Sequence, residues 1–287
     1  LVTRDGTVRH SRRHPIGAGR DPEAVMETIL QHVTGLADAA RAEGVTPRAV
    51  GVAVPGVVDE AVGAVTSAPG LGLRDLPLRE RVAAATGLPT ELCQETRAAA
   101  VAEARLGAGR DAAHVLYVSV GEEIGATHVR DGVAVTGAHG GAGRLGHVVV
   151  RRNGPPCVCG ARGCLETVAS TEGLRRRYAE LGGKDATAAT AERIATASVS
   201  GDGAAARAWQ EAVDALAEGL VLGQALLDVE RIVVGGALTV AGETLFNPLH
   251  TAVKERVTVH YPPQVLPAAL GDEAGCVGIG LLALDPR

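Results

Sequence analysis

The sequence predicts an α/β protein made of two domains. Segments typical of helices alternate with short apolar runs typical of buried strands along most of the chain. The length of 287 residues suits two domains of about 100–150 residues each. Apolar residues make up 46% of the chain, which allows a sizeable core. Because aromatic residues make up only 2%, Val, Leu and Ala must fill that core.

The first part of the chain has a clear helix start and a clear hairpin. Asp21 caps a predicted helix whose first position is Pro22, where the missing N–H costs nothing. Asp131-Gly132 is a hairpin turn signal between strands expected over 124–129 and 133–135. The other elements predicted in this part are helices over 78–86 and 96–106 and strands over 49–54, 62–65 and 115–120.

The second part of the chain follows a glycine-rich segment at 137–146. A buried strand over 231–234 runs into Gly235-Gly236. The other elements predicted here are helices near 171–181, 189–198, 203–227, 243–256 and 273–284 and a strand over 265–270.

Charge and cysteine content exclude several classes of protein. The formal net charge of -5 argues against a general nucleic-acid-binding surface, which needs clustered Lys and Arg. No segment approaches the roughly 18–20 consecutive apolar residues of a membrane span. Three of the five cysteines lie within eight residues, which suits metal binding in a reducing cytosol better than a set of disulfides. We expect Cys93 and Cys276 to be buried core residues.

The cysteine cluster predicts a structural zinc site. Its ligands are His147, Cys157, Cys159 and Cys164, and these thiolates and imidazole are donors that Zn²⁺ prefers. Four protein ligands close a tetrahedron and leave no position for a reactive water, so the metal is expected to be structural rather than catalytic.

The same region carries a family resemblance. The runs G-A-G-R-L-G-H at 141–147 and N-G-P-P-C-V-C-G-A-R-G-C-L-E-T at 153–167 resemble the signature of the ROK family of bacterial repressors, open reading frames and sugar kinases. Further matches in family order are G-V-A-V-P-G-V-V-D at 51–59, A-P-G-L-G at 68–72, Q-E-T-R-A-A-A-V-A-E at 94–103, I-V-V-G-G-A-L at 232–238 and G-D-E-A-G-C-V-G-I-G at 271–280.

The resemblance implies an actin-like, ribonuclease H-like ATPase fold with a sugar cleft between two lobes. The first lobe would comprise 1–110 plus 272–287, and the second, with the zinc site, would comprise 111–271. The family's D-x-G-G-T phosphate loop would lie before Leu1, so we expect the N-terminal strands of the fold to be missing from the chain.

The resemblance also implies a nucleotide site with altered residues. The family's second phosphate loop, G-T-G-I-G, is G-E-E-I-G here, from Gly121 to Gly125, which sets two carboxylates where phosphates would bind. Gly235 and Gly236 resemble the glycine turn on the nucleotide side. ATP and Mg²⁺ are therefore expected only if the chain is a kinase.

Catalytic and sugar-binding positions are partly kept. The family's Glu-Asn-Asp is Cys93-Gln94-Glu95, so Glu95 replaces the catalytic Asp with one more methylene. Family sugar ligands correspond to Gly70, Gln94 and Arg144, which differ in type, and to His147 and Glu166, which match. Since Arg144 replaces a Glu, one hypothesis is that the ligand is an acidic sugar or a sugar phosphate; two matching contacts do not identify the sugar.

Three functions remain open. The favoured hypothesis is a sugar-responsive transcriptional regulator whose kinase-like body binds an effector, with DNA bound only through an N-terminal module outside this chain. The alternative is an ATP-dependent sugar kinase, similar to glucokinase, of unusual specificity. A third is a pseudoenzyme that binds a ligand or partner without DNA or catalysis. Family kinship implies a homo-oligomer, a dimer or tetramer, and the cysteine pattern predicts a cytoplasmic protein.

Overall fold

The computed structural model describes residues 1–14, 21–259 and 261–285. Its helices are α1 (Pro22–Ala42), α2 (Leu78–Thr86), α3 (Glu95–Arg105), α4 (Leu165–Ala169), α5 (Thr171–Glu180), α6 (Ala191–Val199), α7 (Gly203–Leu227), α8 (Glu243–Arg256) and α9 (Ala274–Leu284). Its strands are β1 (Val50–Val54), β2 (Val57–Asp59), β3 (Ala64–Ala68), β4 (Leu73–Leu76), β5 (Thr90–Gln94), β6 (His114–Val120), β7 (Ile124–Arg130), β8 (Val133–Ala134), β9 (Arg231–Gly235) and β10 (Gln264–Pro267).

The chain divides into two compact units. The first comprises Leu1–Ala102, Ala138–Gly140 and Asp272–Arg287, and the second comprises Glu103–Gly137 and Gly141–Gly271. The predicted division at 110 differs from this one because α3 runs across the change of unit at Ala102 and Glu103.

The first unit is built on two small sheets. β1 and β5 pair in parallel, and β2, β3 and β4 form an antiparallel sheet. Helices α1 and α2 bury Met26, Leu78 and Val82 against these strands. The side chain of Asp21 accepts a hydrogen bond from the N–H of Glu23, which confirms the predicted cap of α1.

The second unit is built on one five-stranded sheet in the order β10-β9-β6-β7-β8. β9 pairs in parallel with both β6 and β10, whereas β6 and β7 pair antiparallel. The predicted hairpin turn is confirmed between β7 and β8. Asp131 and Gly132 have φ values of 51° and 73°, the left-handed region that such a two-residue turn requires.

Helices α4 to α8 form the rest of the core of the second unit. The central α7 buries mostly small residues along one face, so its neighbours approach closely. A Cβ added at Gly219 would lie 2.6 Å from the Leu165 side chain, and one at Gly223 would lie 2.6 Å from Leu116. Trp209 packs in this core, and its Nε1–H donates to the carbonyl of Thr244 at 3.0 Å.

A fully buried carboxylate joins two distant segments of the second unit. Glu103 accepts backbone N–H bonds from Ala108 at 2.9 Å, from Ala269 at 3.1 Å and from Leu270 at 2.7 Å. Three donors satisfy a group that would be costly to bury without partners. The side chain therefore fixes the loop after α3 beside the segment after β10.

The predicted alternation of helices and strands is confirmed, and so is the α/β class. Two strand predictions are corrected. The strand expected over 62–65 begins instead at Ala64, because Asp59 accepts N–H bonds from Ala61 and Val62 and holds them in a turn. The strand expected over 265–270 ends instead at Pro267. Strands β2, β4 and β5 were not predicted, and two of the four residues of β4 are charged.

Candidate functional site

The four predicted metal ligands are brought together in the second unit. His147 ends a short 3-10 turn, and Cys164 lies at the start of α4. Cys157 and Cys159 flank an exposed turn in which the N–H of Cys157 donates to Ala161 at 2.9 Å. The metal-binding atoms of the four residues all lie within 4.8 Å of one another.

Two distances within this cluster match the edges of a tetrahedral zinc site. The Nδ1 of His147 lies 3.6 Å from the sulfur of Cys157, and the sulfurs of Cys159 and Cys164 are 3.6 Å apart. Zn–S and Zn–N bonds of about 2.3 and 2.05 Å give tetrahedral edges of about 3.8 Å for two sulfurs and about 3.6 Å for sulfur and nitrogen. A disulfide needs sulfurs only about 2.05 Å apart, so these thiols are free.

The backbone around the cluster is tightly held. Gly163 has a φ of 72°, and a Cβ there would overlap the carbonyl of Arg151. The carbonyl of Gly163 accepts from the N–H groups of Val150 and Arg151 at 2.9 and 3.0 Å. Arg151 is anchored in turn to Glu218 on α7 at 2.8 Å. The metal-ligand loop is thus attached to the long central helix.

The pKa values of two thiols in this cluster shift in opposite directions. Burial, followed by the neighbouring thiols, raises the pKa of Cys164 to about 12. The N–H of Ala161 lowers the pKa of Cys159 instead. A coordinated metal ion stabilises thiolates directly, so it would overcome the resistance of this cluster to deprotonation.

A cavity of about 850 Å³ lies in the second unit beside this loop. Glu122 and Glu123 of the predicted phosphate loop line it, and both are exposed. Ala237 and Val240, which follow the predicted glycine turn, line it as well. The cavity is also lined by Pro156, Val158, Glu166, Ser170, Thr171 and Thr190.

The predicted nucleotide glycines occupy constrained positions. Gly121 closes a tight turn in which its N–H donates to Glu123 at 3.0 Å, and Gly125 lies in β7 opposite Ser119. A Cβ at Gly235 would lie 2.5 Å from the hydroxyl of Tyr117. Gly236 has a φ of 88° and a ψ of 178°, a region open essentially to glycine alone.

Three predicted sugar ligands lie in the second unit. Glu166 is half-buried on α4, and its Oε2 accepts the N–H of Ile124 at 2.9 Å, which joins it to the 121–125 loop. His147 is half-buried with Nδ1 directed at the metal cluster. Arg144 is exposed at the residue before the 3-10 turn that carries His147.

The predicted catalytic residue, Glu95, and the predicted sugar ligand Gln94 lie in the first unit. Glu95 is exposed as the first residue of α3, directly after β5. The side chain of Gln94 caps the helix, because its Oε1 accepts the N–H of Arg97 at 3.0 Å and its amide nitrogen lies 3.4 Å from Thr96 Oγ1. Gln94 therefore already has partners within the protein.

The two cysteines outside the metal cluster differ in burial. Cys93 is 2% exposed, as predicted, and burial raises the pKa of its thiol. Cys276 is exposed, which corrects the expectation of a core position, because α9 buries the adjacent residues Val277 and Gly278 instead.

Sequence reasoning missed two groups of residues. Glu60 and Arg97 form an ion pair next to Gln94, although they are far apart in sequence. The only signal was an Arg within an Ala-rich helix. Ser170, Thr171 and Thr190 line the cavity from helix starts that carry no recognisable motif.

Comparisons with known proteins identify the family of this chain. The model of the ROK family matches residues 1–286. Glucokinase from Thermotoga maritima is 31% identical over 97% of this chain and 90% of that protein. N-acetylmannosamine kinase from Citrobacter koseri is 30% identical over 98% of this chain and 93% of that protein.

A solved structure is similar over almost the whole chain. It is a ROK family glucokinase from Streptomyces griseus in complex with glucose and AMPPNP, with a TM-score of 0.83, 26% identity and coverage of 99% of this chain and 94% of that one. The actin-like ATPase fold predicted from the sequence is confirmed. The regulator hypothesis is wrong, because relatives matched over nearly their full length are sugar kinases.

Proposed function

We propose that this chain, which belongs to the ROK family, is an ATP-dependent kinase that phosphorylates a sugar. The observation that supports this most strongly is the cavity of about 850 Å³ lined from both predicted nucleotide loops, the 121–125 loop and the residues after Gly236. Its size is within the usual range of small-molecule sites, about 300–1,000 Å³.

The lining of this cavity suits a nucleotide in two ways. Val158, Val240 and Pro156 offer apolar surface for a base, while Ser170, Thr171 and Thr190 offer hydroxyl groups for polar contacts. The carboxylates of Glu122 and Glu123 would repel the phosphates of a nucleotide. We therefore propose that the phosphoryl donor binds as ATP with Mg²⁺, whose positive charge offsets these carboxylates.

The remaining roles are carried over from the positions that match the family's motifs. We assign Glu95 as the general base that accepts the proton of the attacking sugar hydroxyl. Glu166 and the free ring nitrogen of His147 would hydrogen-bond sugar hydroxyls. Gln94 and Arg144 complete the proposed sugar contacts, and Arg144 favours an acidic sugar.

We propose that His147, Cys157, Cys159 and Cys164 hold one structural Zn²⁺. With four protein ligands the ion has no open position, so its contribution is to order the loop and to orient His147. Three reduced thiols are needed for this site, which supports a reducing compartment such as the cytoplasm.

A homo-oligomer remains a prediction that sedimentation measurements test. No helix in the described part of the chain has the length and apolar character needed to cross a bilayer.

The experiment is a coupled assay of ADP release by the zinc-loaded chain. Hexoses, N-acetylhexosamines, uronic acids and sugar phosphates are offered with ATP and Mg²⁺, and the product is identified by mass spectrometry. We expect ADP release that requires one sugar class and a product heavier by one phosphoryl group. Glu95→Gln serves as the inactive control. A folded, zinc-loaded chain without sugar-dependent ADP release on any member of the panel would overturn the proposal.

A further inference from the structure

A nearly buried arginine lies on the helix that begins with Glu95. Arg97 is 7% exposed, and its Nη1 donates to Oε1 of Glu60, which follows β2. Its Nη2 donates to the carbonyl of Gly140 at 2.9 Å. Both partners belong to the first unit, so this guanidinium joins α3 to two loops of its own unit.

The same carboxylate oxygen also holds the backbone before Glu95. Oε1 of Glu60 accepts the N–H of Gln94 at 3.1 Å. The side chain of Gln94 accepts the N–H of Arg97 at 3.0 Å. Glu60, Gln94 and Arg97 therefore form a closed ring of hydrogen bonds, and the chain segment that this ring spans contains only Glu95 and Thr96.

Stability alone is a weak reason for this arrangement. Removing an arginine and a carboxylate from water is costly, and apolar side chains of similar volume often give equal or greater stability. The distinctive property of the ring is geometric, because it fixes the backbone on both sides of one exposed carboxylate. A general base has to lie within hydrogen-bond reach of the proton that it accepts.

We propose that Arg97 and Glu60 are positioning residues that set the orientation of Glu95 for proton transfer. The inference rests on the proposed kinase function. Neither residue needs to touch the sugar or the nucleotide, since both act through the backbone of Gln94 and the start of α3. Displacement of a reacting group by about 1 Å can cost on the order of 100-fold in rate.

The test compares this pair, in which Arg97 is buried and Glu60 is half-buried, with an exposed pair of the same unit. Arg97→Met removes the guanidinium from the ring, Glu60→Gln replaces the carboxylate of the ring with a neutral amide, and Arg97→Lys keeps a cation beside Glu60. The matched control is Arg81→Met, which removes the exposed pair between Arg81 and Glu23 at 2.9 Å. We expect Arg97→Met and Glu60→Gln to lower kcat about 10- to 100-fold with the KM for ATP changed less than about twofold.

Two further results distinguish positioning from loss of folding. Arg97→Lys should recover part of the lost kcat, and the double variant Arg97→Met with Glu60→Gln should lose little more than either single variant, because the two residues act as a unit. Hydrogen exchange followed by mass spectrometry should become faster in the peptide covering 93–99 and stay unchanged in β6 and β9. Arg81→Met should leave kcat and this exchange pattern unchanged.

The outcomes separate the inference from the function on which it rests. An active wild-type chain whose Arg97→Met variant keeps its kcat, or loses kcat only in proportion to its folded fraction, overturns the positioning role alone. Equal losses in Arg81→Met and Arg97→Met overturn it as well. A wild-type chain without sugar-dependent ADP release overturns the kinase function and the positioning role together.

Discussion

Replacing the two carboxylates of the 121–125 loop should strengthen the binding of ATP with Mg²⁺. In the double variant Glu122→Thr with Glu123→Gly, the loop regains a hydroxyl and a residue without a side chain. Both glutamates are exposed and line the cavity, so water screens their repulsion of phosphates. Unit charges 4 Å apart interact by about 1 kcal/mol in water, compared with about 4 kcal/mol at an effective dielectric constant of 20.

Because both glutamates are exposed, the value for water, about 1 kcal/mol per repulsion, applies here. One repulsion of about 1 kcal/mol corresponds to roughly a fivefold change in Kd, and two correspond to about 30-fold. In the Glu123→Gly variant the phosphates can also lie closer to the backbone, which contributes to the larger of these two changes in Kd. We therefore expect Kd for ATP with Mg²⁺ to fall by about 5- to 30-fold at low salt.

Isothermal calorimetry at two salt concentrations measures this effect. Because the Debye length is about 10 Å at 0.1 M salt and about 3 Å at 1 M, the gain should shrink as salt rises. Glu243→Gln is the matched control, since it removes an exposed carboxylate that does not line the cavity. An unchanged Kd in the double variant, a gain that is independent of salt, or an equal gain in Glu243→Gln would refute the reasoning.

Three other variants probe the metal site, the glycine turn and an ion pair. Cys164→Ser removes one of four ligands, so elemental analysis should find about one zinc ion per chain in the wild type and far less in the variant. Gly236→Ala places a Cβ 2.7 Å from the N of Val120 at a φ of 88°, so urea unfolding should show a loss of about 1–3 kcal/mol, together with weaker ATP binding. Hydrogen bonds from Arg177 at 2.7 and 3.0 Å lower the pKa of Glu211. The stability this pair contributes is therefore present above the unfolded-state pKa of about 4.3 and is lost as the pH falls through the lower folded-state pKa, so the urea midpoints of wild type and Glu211→Gln should converge in acid.

Local signals in the sequence were enough to locate the metal cluster. Three of its ligands lie within eight residues, and the glycines between them have the positive φ values that a tight loop needs. The turn at Gly236 was equally visible, because a strand running into two glycines is typical of a nucleotide-side turn. Such features depend on neighbours along the chain, which a sequence displays directly.

Contacts between distant segments could not be predicted in this way. Nothing in the sequence indicates that Glu60 pairs with Arg97 or that Glu103 accepts N–H groups from Ala269 and Leu270. Each depends on tertiary packing that brings together residues without a shared motif.

The regulator hypothesis was wrong because it treated several altered positions as signs of a lost kinase site. Among them were Glu122 and Glu123, which place two carboxylates where phosphates would bind. The structure exposes both side chains, where water reduces their repulsion of phosphates about fourfold compared with an effective dielectric constant of 20. An altered phosphate loop is thus compatible with relatives that are kinases.

Helix α9 has a consequence for how the protein is made. It belongs to the first unit, where Ile279 packs closely against Gly51 of β1. A Cβ added at Gly51 would lie 2.5 Å from the carbonyl oxygen of Ile279. A ribosome reaches α9 only after it has synthesised the whole second unit. During that interval the face of β1 that α9 covers has no partner from that helix. The nascent first unit should therefore be the part of the chain that chaperones bind, and the second unit should acquire protease resistance first.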